Sequence, residues 1–177
     1  EMLNNVVFRM RNLYLLGNTL LLTCGVLLLD ILIALPLAYL SVRVKIKARR
    51  FITILGVLPL AIPGYVMAYA LLGLGGYNGT FQAWFGWTIP RINGFSGSLI
   101  VLTLCTFPYL YLNLRTALAG MDRSIEEVSR SLGHDAKSTF FKVILPQLRP
   151  ALLAGSLLVS LHVIGDFGTV SLMRFET

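Results

Sequence analysis

Charge is scarce in this sequence. Asp, Glu, Lys and Arg make up 13% of its 177 residues, about half the share of an average soluble domain. A chain this poor in polar material cannot clothe a globular surface, which excludes an ordinary soluble fold. Cysteine is scarcer still. Cys24 and Cys105 both lie inside apolar runs, so they read as buried thiols, with no disulfide framework and no metal-ligand spacing. No Gly-x-x-x-x-Gly-Lys-Ser/Thr phosphate loop occurs, so nothing here holds ATP in that manner. A signal peptide is also missing. Glu1-Met2-Leu3 is not a natural beginning and no end signal precedes Thr177, so a fragment of a longer protein is expected.

What is present is apolar. Hydrophobic residues reach 56% and the mean hydropathy is +0.76. Four apolar segments stand out, at about 13–42, 51–74, 98–119 and 150–173. Each can cross a hydrocarbon layer of about 30 Å, which takes about 20 helical residues. An all-α integral membrane protein with four or more transmembrane helices is therefore expected. Pro36, Pro59, Pro63 and Pro108 fall inside these spans, and each should bend its helix.

The net charge of +7 does not point to nucleic acid, because the basic residues sit in short runs between apolar stretches. That is the pattern of a protein held by cytoplasmic Lys and Arg. The first connection carries Arg43, Lys45, Lys47, Arg49 and Arg50 and no acid. The third, 120–149, carries Arg123, Arg130, Lys137, Lys142 and Arg149. Both belong in the cytoplasm, and they outvote Arg9 and Arg11 at the start. The second connection, 75–97, then lies outside. It opens Gly75-Gly76-Tyr77-Asn78-Gly79-Thr80 and continues with Phe81, Trp84, Phe85 and Trp87. This suits an aromatic anchor at the interface or a short re-entrant piece.

The third connection reads as two short helices. Ser124 and Glu127 have capping-box spacing, and Ile125, Val128 and Leu132 form one apolar stripe. Gly133 supplies a left-handed stop. Asp135 can cap the next helix, and Pro146 predicts a break before the fourth span. Such a capped amphipathic helix outside the membrane can dock in a partner's groove.

Glu127-Val128-Ser129, three residues, Gly133, nine residues, then Val143-Ile144-Leu145-Pro146 resembles the EAA motif of binding-protein-dependent ABC importer permeases. Glu127, Gly133, Leu145 and Pro146 match it. Val128, Ser129 and Val143 depart from it while staying small or apolar. Asn18-Thr19-Leu20, Leu35 to Tyr39, Leu58 to Gly64 and Gly165 to Val170 are also similar to this family (MetI-like), the last to the first half of its ferric-iron subfamily, whose members fuse two halves in one chain.

The resemblance implies a permease subunit in a bacterial inner membrane, working by alternating access, and not itself an enzyme. Glu126, Glu127, Val128, Ser129, Gly133, His134, Leu145 and Pro146 would couple it to a cytoplasmic ABC ATPase dimer. ATP and Mg would sit on that ATPase, leaving no cofactor on this chain. A periplasmic or lipoprotein solute-binding protein would deliver ferric iron, or alternatively thiamine, phosphonate or polyamine. A second permease half and membrane lipid complete the expected partners.

Inside the spans, Asp30, His162 and Asp166 are ionisable. Such groups are expensive in lipid and mark substrate paths or helix-to-helix hydrogen bonds. His162 and Asp166 have i, i+4 spacing, but an iron-ligating pair fits poorly with cargo that must be released. Two rivals remain open. One is an ion-gradient-driven secondary transporter, and the other is a structural membrane module. Neither accounts for the motif between Glu127 and Pro146.

Overall fold

The computed structural model describes residues 10–44, 47, 49–76, 79–88 and 90–177. Arg9, Lys45, Tyr77 and Asn78 lie outside them. The described residues are helical throughout their ordered elements: α1 (Met10–Arg43), α2 (Arg49–Val57), α3 (Gly64–Leu74), α4 (Thr80–Phe85), α5 (Gly94–Gly120), α6 (Ser124–Ser131), α7 (136–165) and α8 (Phe167–Leu172).

Three helices, α1, α5 and α7, are long and apolar enough to cross a membrane. α5 is the central one, with α1 and α7 packed along it. Val26, Ala34 and Ala38 of α1 meet Leu102, Leu110, Tyr111 and Leu114 of α5 in one buried cluster that also takes in Leu148, Val159 and Val163 of α7. The opposite faces are just as apolar. Leu16, Leu20, Leu28 and Leu32 on α1, and Leu153, Leu157, Leu161 and Ile164 on α7, are all exposed. Helices that are hydrophobic all round need lipid as their outer solvent.

The helices approach closely where side chains are missing. A Cβ built on Gly155 would come 2.5 Å from Leu110 Cδ1, and one on Gly56 2.6 Å from the Tyr111 ring. Small residues at such contacts replace the hydrophobic drive that lipid removes.

The segment 51–74, expected as a single span, is broken. α2 runs into a 3-10 turn, Leu58–Ala61, and α3 leaves at 99° to it. Ile62 and Pro63 are extended between them. Pro59 and Pro63 bring no donors to a helical ladder, and a proline disfavours helix in the residue before it. Pro36 and Pro108 stay inside continuous helices.

The fourth segment also differs from expectation. α7 begins at Ala136 and ends at Gly165; Asp166 interrupts it before α8. Pro146 does not break the chain. A π-helical stretch at Phe140–Ile144 precedes it, and Pro146 then falls in the first turn of the following α segment, where no donor is required.

The two ends of the bundle are tied separately. Arg43 donates to the Met121 carbonyl (3.3 Å) and Arg123 to that of Val42 (3.2 Å), so the ends of α1 and α5 share one face with both basic connections. At the other end Gly94 N–H donates to the Met173 carbonyl (2.7 Å) and Asn18 to that of Glu176 (2.9 Å). The short α4 presents Trp84 and Phe85 there, with Trp87 just beyond it, all exposed.

Gly155→Val should lower the melting temperature of the full-length protein in detergent, through overpacking that costs about 1–3 kcal/mol. Gly73→Val, at a helical glycine with open space around it, should lower it far less. Equal losses would refute the close α5–α7 contact as a stability determinant.

Candidate functional site

Two groups of residues have the chemistry to act. The first surrounds α6. Asp122 Oδ1 accepts from the Ser124 backbone N–H at 2.9 Å, and this bond and the Ser124 hydroxyl hold its carboxyl below the usual carboxylate range. Arg123 occupies the cap position without a side-chain cap bond. The expected Ser124–Glu127 capping box is therefore not formed. Asp122 serves the exposed N–H first, and Ser124 is already helical.

The helix stops as its glycine predicts. Gly133 has φ +87°. Its N–H donates to the Arg130 carbonyl (3.0 Å), and that of His134 reaches Ser129's (3.3 Å). These two bonds are a Schellman stop, which requires the left-handed residue that glycine adopts at least cost. Asp135 caps α7, its Oδ1 accepting from Ser138 N–H at 3.0 Å. The Ser138 hydroxyl lies 3.4 Å from His134 Nδ1.

α6 is held from beneath by polar contacts. Ser129 is buried, and its hydroxyl shares a hydrogen bond with Thr139 at 3.1 Å. Glu126 Oε1 stands 2.8 Å from Arg43 Nη2, off the hydrogen-bond direction but with both side chains largely buried, so this is an ion pair. Sequence spacing had singled out Glu127 beside it. Glu127 is exposed and forms no ion pair among the described residues. The two glutamates therefore divide: Glu126 anchors the helix and Glu127 faces out. The anchoring role was not legible, because Arg43 is far away in sequence.

The apolar stripe also faces out. Ile125, Val128 and Leu132 are 44%, 58% and 75% exposed. Leu145 and Pro146 are half-buried on α7, in the turn following the π stretch.

The second group lies on the long helices, with Asp166 half-buried and His162 exposed. Asp166 sits at the α7–α8 break. Its Oδ1 accepts from Thr169 N–H (2.9 Å) and its Oδ2 from the Thr169 hydroxyl (2.8 Å). His162 Nε2 is 3.9 Å from Oδ2, and its ring lies 5.7 Å from that of Tyr109. A Cβ on Gly64 would meet Thr169 Oγ1 at 2.9 Å, Asp166 Oδ2 at 3.3 Å and Cys105 Sγ at 3.7 Å. The bend before α3 thus closes directly onto Asp166, which sequence spacing alone does not reveal. Asp30 is separate, on the α1–α5 seam. It is fully buried and accepts from the Thr106 hydroxyl at 2.7 Å, its other oxygen unpartnered. Among the described residues no three His, Cys, Asp or Glu side chains gather to hold a metal.

The profile of a family described as "Binding-protein-dependent transport system inner membrane component" matches residues 30–174. The Fe(3+)-transport system permease protein FbpB 2 of Haemophilus influenzae is 36% identical over 97% of this chain and 31% of its own length. A probable molybdenum ABC transporter permease protein of Haloferax volcanii is 33% identical over 79% of the chain and 51% of its own length. The molybdenum transport system permease protein ModB of Escherichia coli is 31% identical over 84% and 67%. The chain thus spans about a third to two thirds of these relatives.

Glu126→Gln should lower the melting temperature, because removing one partner of a largely buried pair costs about 3 kcal/mol. Glu127→Gln, at an exposed site, should stay within about 0.5 kcal/mol of wild type. Thermal unfolding of the full-length protein in detergent reads both, and a larger loss for Glu127→Gln would reverse the assignment.

Proposed function

The chain belongs to the family of binding-protein-dependent transport system inner membrane components, and from that premise we propose that it forms one wall of the solute path in an ATP-driven importer. The proposal extends to a cytoplasmic ATPase dimer that docks on α6, with ATP and Mg held there and not on this chain. A binding protein brings the solute to the opposite end, and a second permease half supplies the other wall. The observation that carries the docking assignment is the outward stripe of Ile125, Val128 and Leu132 on a helix fixed from below. Apolar side chains on a water-facing helix are costly unless a partner covers them. Glu127 at their edge offers a charge for a basic residue of the ATPase, and Gly133 sets the angle at which α6 is presented.

Asp166 and His162 are the proposed path residues. Their support is the bent span that meets them at Gly64. Non-helical backbone at membrane depth is tolerated where it is buried in protein or lines a cavity. Asp30, sealed on the α1–α5 seam, suits helix pairing better than cargo.

Ferric iron is the proposed cargo, on the strength of the iron permease relative that matches nearly the whole chain. Molybdate is the second reading, favoured by the two molybdenum permease relatives.

Gly133→Val in the full-length gene should abolish ATP-driven uptake while leaving membrane insertion intact. The β-branched residue is strained by about 1–2 kcal/mol in the left-handed region, yet the site is open, so nothing else is disturbed. Unchanged uptake would sink the docking reading. Radioactive ferric iron and radioactive molybdate, supplied to cells with and without the gene, separate the cargoes. Iron uptake that persists without the gene, beside molybdate uptake that vanishes, would discard iron.

A further inference from the structure

The end of the bundle that carries α6 also holds a basic cavity that the docking surface does not use. Its volume is about 440 Å³, and Lys47, Arg49, Arg50, Thr53, Ile54 and Arg115 line it. Four cations converge and no acid answers them. The two ion pairs among the described residues lie elsewhere. Arg115 Nε is buried and without a hydrogen-bond partner among the described residues. The fold brings these residues together deliberately. Gly56 of α2 rides on the Tyr111 ring of α5, and Arg115 lies one helical turn beyond Tyr111. The start of α2 therefore passes over Arg115.

Four like charges around one cavity repel each other, and a buried guanidinium donor left bare is costly. An anion resolves both problems. The neighbouring surface narrows its identity. Phe51, Ile54, Leu55 and Leu58 of the same α2 and its following turn are exposed and apolar. An occupant that satisfies both surfaces has an anionic head and an apolar tail. Guanidinium forks match phosphate oxygens in pairs, and basic pockets between helices on the cytoplasmic side suit lipid head groups.

We propose that this cavity is a binding site for one anionic phospholipid of the cytoplasmic leaflet. Its phosphate lies among Arg115, Arg49, Arg50 and Lys47, and its acyl chains run along Phe51, Ile54, Leu55 and Leu58. The lipid fastens α2, the cytoplasmic arm of the broken span, to the bilayer surface. The site is independent of the transported cargo.

The test uses the full-length protein, reconstituted in phosphatidylcholine vesicles with and without phosphatidylglycerol. Native mass spectrometry then counts the retained phosphatidylglycerol. The double variant Arg49→Gln, Arg115→Gln should hold it roughly 25-fold more weakly, at about fivefold per cation removed. Arg50→Gln alone, at an exposed position, should lose about fivefold and stands in if the double variant does not fold. Arg115→Lys, which keeps the charge, should retain most of the binding. The double variant Lys137→Gln, Lys142→Gln removes equal charge elsewhere on the cytoplasmic side and should bind like wild type. Equal losses in both double variants, or none in either, would overturn the site. Displacement of phosphatidylglycerol by excess inorganic phosphate would also overturn it, in favour of a soluble anion.

Discussion

Backbone polar groups cannot be left bare in hydrocarbon, and that constraint decides where this chain is permitted to stop being helical. Each unsatisfied N–H or C=O there costs several kcal/mol. Two interruptions occur within its apolar segments, at Ile62–Pro63 and at Asp166. They are placed against each other. Gly64, the first residue after one break, lies beside Asp166 and Thr169 at the other. The Asp166 carboxylate serves the Thr169 N–H and hydroxyl that the break would otherwise strand. Prolines at the first break remove donors that would have needed partners. The two breaks meet, and their meeting gathers Asp166, Thr169 and Cys105 around Gly64.

At the end that carries the basic connections the same logic runs outside the apolar segments. There α6 is pinned by polar contacts beneath it, Ser129 to Thr139 and Glu126 to Arg43, and is ended by the Schellman bonds around Gly133. The apolar side chains point the other way. On this helix Glu126 and Ser129 face the protein while Ile125, Val128 and Leu132 lie exposed beside Glu127 and Arg130, the reverse of the usual burial order on a surface helix. The inversion is stable because each inward polar group finds a specific partner.

Much of this was legible in the sequence. Hydropathy located the long helices, and the clustering of Lys and Arg agreed with contacts that place both basic connections at one end. Gly133 and Asp135 acted as local rules expect, since stops and caps are decided within a few residues. The failures have separate causes. Ser124 lost its capping role because the helix begins one residue earlier, with Asp122 accepting from the Ser124 N–H and the Arg123 carbonyl accepting from the Glu127 N–H. Glu126 was eclipsed by Glu127 because its partner, Arg43, belongs to another helix. The bend at 62–63 was marked by Pro59 and Pro63, but its size, 99°, was not legible because the residues on both sides are equally apolar. Pro146 misled in the opposite direction, because the π stretch before it supplies the slack that a proline requires.

That last difference changes how the two ends of the molecule communicate. Had Pro146 broken the helix, α6 would rest on a short piece free to pivot. Instead α7 runs without interruption from Asp135, beside α6, to Asp166, beside the bent span. At 1.5 Å per residue it reaches about 45 Å, longer than the hydrocarbon layer. A continuous helix resists bending far better than a loop. α6, joined through Ser129 and Thr139 to the first turn of α7, is therefore linked to the polar cluster by one continuous helix. The least regular part of that helix is the π stretch at Phe140–Ile144, immediately inside the contact with α6. Any flexing between the two ends should concentrate there, beside α1, where the Tyr39 ring meets that of Phe140 edge-on at 5.3 Å.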